Sequence, residues 1–335
     1  MSKDSWSGEY APSTVESPMI KRLSVKNFKS IRDLDIEMRP LMVLVGPNGA
    51  GKSNFLSVFR FARDQNEVIG AVDGYKNLVW NGREDLAIGV EVRGERPMQR
   101  AGNAHFDFRM EYGGSPFRAS LSPGLGDLAN GWAFYRFSAN TMRPVRQVLQ
   151  EGRLNEDGSN LSSVLHSLHS AEDPAYDDIE ALFKVFVPEA ESLISPLHGS
   201  GTYVAFRQKG LHIPIRTSSM SDGTLFGLAL IVALFAPDRP SLICIEAPDI
   251  ELHPYLMQHV AELLRTASQT AQIIITTHSP FLLDYLPPES IAIVEKTNGE
   301  TSIRWAEDKR GVKQAIKLLG AGEAWRAGHL GGVPA

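Results

Sequence analysis

Residues Leu41 to Ser53, LMVLVGPNGAGKS, constrain this chain more than any other stretch. The apolar run Leu41 to Val45 has no polar face, so it predicts a strand buried on both sides of a parallel sheet. Gly46 to Ser53 follows the pattern G-x-x-x-x-G-K-S. From Asn54 onward, Phe55, Leu56, Phe59 and Ala62 recur at helical spacing. Strand, glycine-rich turn and helix in that order predict an α/β fold. They also make a phosphate cradle, because glycines let successive backbone N–H groups converge on oxyanions and the helix N-terminus adds its dipole. Asn48, Gly49, Ala50, Gly51, Lys52, Ser53 and Asn54 are therefore the candidate nucleotide-binding residues. Lys52 is expected at the β- and γ-phosphates, and Ser53 is expected to ligate Mg²⁺.

The later part of the chain continues the α/β pattern. Helices are expected over 222–235, 254–266 and 280–285, alternating with strands over 242–246, 272–277 and 291–296. Lys21 to Met38 reads as two edge strands, residues 78–112 as β-rich, and GWAFYRFS (131–138) as a further strand. Residues 143–193 read as mostly helical, and GTYVAFRQKGLHIPI as two strands about a Lys209-Gly210 turn. The expected organisation is a flexible tail (1–19), a composite nucleotide-binding head (20–140 and 200–305), a helical insertion lobe (141–199) and a C-terminal helical tail (306–335).

Composition narrows the function classes. The formal net charge of −5 gives no bulk attraction for nucleic acid. The basic stretch Lys21, Arg22, Lys26, Lys29 and Arg32 reads as a solvated face. One cysteine, Cys244, rules out a disulfide framework and fits a reducing cytoplasm. The longest apolar run, Leu225 to Ala236, falls short of the roughly 20 residues a membrane span needs, so no membrane role is expected.

Taken in order, VKNFKSI, LVGPNGAGKSNFL, SMSDGT, IEAPDIELHP and IIITTHSPFLLD resemble the ABC-type ATPases of the SMC, RecF and OLD kind. Within them the chain is most similar to small stand-alone predicted ATPases of bacterial defence islands. FYRFS, DGSNLSSVL and LGAGEAWRAGHLGG extend the resemblance over Ile20 to Gly332. It implies an ABC-ATPase head with a mixed, mostly parallel sheet, an antiparallel β subdomain and a helical insertion, binding ATP and Mg²⁺. Phe28, Lys29 and Ser30 match the segment that lies against the base and sugar. Ser221, Asp222 and Gly223 match the signature, which reaches the γ-phosphate held by a partner subunit, so that ATP closes a homodimer. Glu246 matches the acid that holds Mg²⁺ with Ser53, and His278 the switch histidine. Gln65, Gln147 and Gln208 are all available as the glutamine that links nucleotide to insertion.

Position 247 departs from the pattern. The family places there the acid that polarises the attacking water, and this chain has Ala247. Alanine accepts no proton, so hydrolysis should slow by roughly 10²–10⁴-fold while ATP is still held. Three explanations are open: a Glu→Ala change that traps the ATP state, a natural ATPase that signals by occupancy, or substitution by Asp249 or an acid from elsewhere. The first is the reading adopted. Fewer than about sixty residues follow His278, too few for the nuclease domain of the OLD kind. The expected function is a dimerising switch ATPase that controls a separate effector, nuclease or toxin, in antiphage defence. The alternative is a RecF-like repair ATPase binding DNA across the closed dimer.

Overall fold

The computed structural model describes residues 17–97 and 103–332, so most of the expected N-terminal tail lies outside the described residues. In chain order the elements begin β1 (Met19–Phe28), β2 (Ile31–Glu37), β3 (Leu41–Val45), α1 (Lys52–Arg63), α2 (Gln65–Ala71), β4 (Ala87–Pro97), β5 (Asn103–Gly113) and β6 (Arg118–Leu121). Next come α3 (Leu125–Asn130), β7 (Trp132–Tyr135), α4 (Ala139–Met142), β8 (Arg146–Gln147), α5 (Leu161–Ser170) and α6 (Pro174–Phe186). Then follow β9 (Ala190–Ile194), β10 (Leu197–His198), β11 (Gly201–Thr202), β12 (Ala205–Gln208), β13 (Ile215–Arg216) and α7 (Asp222–Phe235). The chain closes with β14 (Leu242–Glu246), α8 (Met257–Ala267), β15 (Gln272–Thr277), α9 (Pro280–Leu283), β16 (Ile291–Thr297), β17 (Glu300–Trp305), α10 (Val312–Leu319) and α11 (Ala321–Arg326).

The apolar strands assemble as their patterning requires. A six-stranded sheet has the order β17-β16-β3-β15-β14-β7, parallel throughout except for β17 at one edge. β3 and β15 are buried at every residue. The alternating strands form a second, antiparallel sheet in the order β2-β1-β4-β5-β6. Between the two sheets lies α1, whose Phe55, Phe59 and Phe61 share one core with Val25 and Phe28 from β1 and with Met42 and Leu44 from β3. On the other face of the parallel sheet, α7 is buried at every residue from Leu225 to Phe235. Such a helix is hydrophobic all round and belongs in the middle of a core. Its neighbours there include α5, α6 and α8.

Two expectations need correction. Residues 143–193 are not mostly helical: only α5 and α6 are helices, 143–160 is turn and irregular backbone around the two-residue β8, and β9 closes the segment. Pro144 removes a donor, and Gly158 at φ 77° adopts a backbone that no helix continues through. Phe183 and Phe186 of the helical insertion pack into the same core as α7. The strands after Gly201 pair as Ala205↔Arg216 and Phe206↔Ile215, so their connection is longer than a Lys209-Gly210 turn. Pro214 has no N–H to extend the ladder towards that turn.

Gly227 marks where α6 meets α7: a Cβ there would lie 2.8 Å from the ring of Phe186. Gly227→Val is expected to lower stability by about 1–3 kcal/mol through overpacking, read as a lower midpoint in denaturant unfolding. An unchanged midpoint would contradict this packing.

Candidate functional site

Gly46 leaves β3 against β16, where a Cβ would sit 2.2 Å from the Val294 carbonyl oxygen. Gly49 and Gly51 then take φ 75° and 110°, which turns the loop back over the strand. At Gly51 a Cβ would be 2.2 Å from Thr301 Oγ1, so a residue of β17 dictates glycine here. Thr301 Oγ1 lies 2.8 Å from the Ala50 carbonyl oxygen and 2.7 Å from Ser30 Oγ. A threonine hydroxyl carries one proton; if Ala50 accepts it, Ser30 donates to Thr301. Asn54 Nδ2 donates to Ser30 Oγ at 2.7 Å. This buried chain ties the β1–β2 turn, the loop and β17 into one frame. Thr301 is invisible to motif reading, since it lies 251 residues from its loop partner.

No side chain caps α1, and its first turn contains no acid, so the helix start suits an anion. Lys52 is buried, and its Nζ donates to the carbonyl oxygens of Gly46 and Pro47 at 2.8 and 3.0 Å. Burial pushes its pKa down to about 8. The loop opens into a cavity of about 370 Å³, lined on one side by Asn48, Gly49 and Gly51 to Asn54. Facing them are Glu246, Ala247, Thr276 and His278, together with Arg136, Phe137, Phe226 and Ile250, which the sequence did not single out.

The opposite wall follows from strand register. Glu246 pairs with Thr276, and Thr277 pairs with Val45, so β14, β15 and β3 end side by side. Ala247 turns sharply at φ 47°, with its N–H directed to Thr276 O (3.0 Å) and Thr276 Oγ1 (3.2 Å). Burial, and then the charge of Lys52, lowers the pKa of His278, which favours its neutral form. Asp249 does not line the cavity. Burial raises its pKa, and Thr277 beside it offsets part of that shift.

The other candidates fall into three groups. Ala50 is buried beneath the loop and shapes it without facing the cavity. Phe28 is corrected to a core residue: it is wholly buried, with its ring 5.3 Å from Phe61. Lys29 and Ser30 instead face an adjoining cavity with Lys76, Asn77 and Lys296, joined to the first at Asn54. Ser221, Asp222 and Gly223 lie outside the loop cavity of their own chain. Ser221 caps α7 by accepting from Thr224 N–H at 3.1 Å, and Asp222 pairs with Arg143. Arg143 also donates to the carbonyl oxygens of Thr217 and Met220, which fixes the approach to that helix start. Gly223 admits the Glu251 carbonyl oxygen, 2.6 Å from where a Cβ would stand. Gln65, Gln147 and Gln208 are all absent from the cavity wall.

A parallel sheet with a phosphate loop after β3, a histidine after β15 and an acid ending β14 define an ATPase of the AAA type. The chain belongs to the family described as AAA domain, putative AbiEii toxin, Type IV TA system, whose profile matches residues 99–284. The profile of an AAA ATPase domain matches residues 19–91. A stretch of 38 residues is 55% identical to the OLD nuclease of Thermus scotoductus, covering 11% of this chain and 7% of that protein. Among solved structures, an SMC head bound to the C-terminal winged-helix domain of ScpA covers 86% of this chain and 97% of its own, with TM-score 0.65 and 14% identity. The SMC head domain of Thermotoga maritima covers 85% and 98%, with TM-score 0.52 and 18% identity. An SMC head of Pyrococcus furiosus with an extended coiled coil covers 90% and 100%, with TM-score 0.60 and 14% identity. These structures share the fold.

Lys52 sets a pH dependence. Its pKa of about 8 means the empty loop loses this charge as pH rises above that value. A phosphate against Nζ restores the proton, so binding takes a proton up above pH 8 and does not below it. ATP affinity is expected to fall with rising pH above this value, by at most about tenfold per unit, with proton uptake read by calorimetry in buffers of different ionisation enthalpy. Affinity that is flat to about pH 9.5 would contradict it.

Proposed function

We propose that this chain is an ATP-gated dimerising switch that controls a separate effector, a nuclease or toxin, in bacterial antiphage defence. The observation that carries the reading is a divided site. The phosphate loop, Glu246 and His278 share one cavity, while the capped start of α7 at Ser221 lies outside it. A second copy presenting Ser221, Asp222 and Gly223 to the γ-phosphate completes each site. ATP then joins two copies face to face. The family description as a putative toxin of a toxin–antitoxin system and the short match to an OLD nuclease support the link to an effector.

The residues present fit the ligands. Among the described residues, buried Lys52 donates to carbonyl oxygens alone, and the uncapped α1 start suits a polyphosphate. Ser53 and Glu246 line the same cavity and would hold Mg²⁺ through oxygen, the donor type it prefers. Asn48, Gly49, Gly51 and Asn54 cradle the phosphates, and Lys29 and Ser30 face the ribose and base. Neutral His278 contacts the γ-phosphate. Bound Mg²⁺ neutralises charge on the β- and γ-phosphates.

Ala247 is read as a Glu→Ala change. Lys52, Ser53, Glu246 and His278 all remain in place around it, and its left-handed backbone faces the cavity. Asp249 does not line the cavity and is no substitute. This form therefore holds ATP better than it splits it.

Ala247→Glu is expected to raise ATP turnover by roughly 10²–10⁴-fold with little change in ATP affinity. Equal turnover in the two forms would remove the reading of position 247. Solution mass with and without ATP and Mg²⁺ tests the switch itself: a shift from one copy to two is expected. A strictly monomeric chain at saturating ATP would sink the proposal.

A further inference from the structure

Arg136 leaves β7 next to the metal-binding acid. β7 and β14 run parallel with Tyr135 opposite Ile245, so residues 136 and 246 emerge side by side. The backbone of this turn is held firmly. Arg136 N–H donates to Glu156 O at 2.8 Å, and Phe137 stacks on Tyr135 with its edge towards Phe226 of α7. The side chain is held only loosely. It is 76% exposed, lines the loop cavity, and has Nε 3.6 Å from Glu246 Oε2. That separation is longer than a hydrogen bond, and a solvated ion pair of this kind is weak.

We propose that Arg136 senses the terminal phosphate of ATP, resting on Glu246 until a triphosphate is bound. The proposal rests on the reading of the cavity as an ATP site. A divalent cation on Glu246 draws off much of the carboxylate charge and repels the guanidinium, which loosens the already weak hold of Glu246 on Arg136. Arg136 then needs another anion, and the phosphate on the Glu246 side of the cavity is the terminal one. Its planar fork of N–H donors matches phosphate oxygens and stays charged at every working pH. With alanine at 247, no carboxylate at that position competes for it. In ADP the last phosphate stays within the loop at Lys52, so Arg136 distinguishes ATP from ADP.

The test uses the full chain and calorimetric titration with ATP and with ADP, both with Mg²⁺. Arg136→Gln is expected to weaken ATP by about tenfold or more and ADP by less than about twofold, with partial recovery in Arg136→Lys. An exposed side chain leaves the unfolding midpoint unchanged. Equal weakening of the two nucleotides, or of neither, overturns the proposal. Lys52→Ala separates this from the underlying reading. If Lys52→Ala abolishes nucleotide binding while Arg136→Gln leaves ATP unaffected, the ATP site stands and the role of Arg136 falls. If Lys52→Ala leaves both nucleotides bound, both readings fall together.

Discussion

The in-register parallel pairing of β3, β15, β14 and β7 is the constraint on which everything else rests. Each strand ends at the same edge of the sheet and delivers one element of the site: the phosphate loop after β3, His278 after β15, Glu246 on β14 and Arg136 after β7. Side chains alternate along a strand, so a slip of one residue would turn Glu246 into the core and an isoleucine into the cavity. Burial on both faces prevents that slip. β15 is buried at all its residues, and any shifted pairing would disturb the packing of α1 on one face and of α7 on the other.

That edge is electrostatically prepared for a polyanion. Burial lowers the pKa of Lys52, and partial desolvation together with the charge of Lys52 lowers that of His278; among the described residues Lys52 donates to carbonyl oxygens alone. An arriving phosphate relieves the cost of a buried ammonium. The loop that holds it is braced from elsewhere, through Ser30, Thr301 and Asn54. Ala247 sits in the left-handed region, which costs an L-residue roughly 1–2 kcal/mol. Two bonds from its N–H to Thr276 hold it there. Local strain of this kind is characteristic of functional positions.

The elements with strong local signals were legible. α7, β14 and β15 fall where apolar runs and capping residues place them, with Ser221 as the cap. The segment 143–160 was harder to read, because its helical spacing competes with Pro144, Gly152 and Gly158, and the glycine and proline conformations prevail. Phe28 was misplaced for a different reason. Its motif locates the β1–β2 turn, but strand alternation directs its ring inward while Lys29, at φ 48°, turns outward. Arg136 stood in a stretch whose likeness to relatives was plain, yet its role depends on which strand lies beside β7.

From its order of residues alone, this chain determined a buried strand, a glycine-rich phosphate loop, an amphipathic helix, and an acid and a histidine at the ends of later strands. Those are local facts, set by hydrophobic period, glycine conformation and capping. Tertiary structure alone decided that Thr301 braces the loop, that Arg136 meets Glu246, that Asp249 does not line the cavity and that Ser221 lies outside its own chain's cavity. Each of these depends on contacts between residues far apart in sequence, and only the pairing of strands and the filling of a shared core determine them.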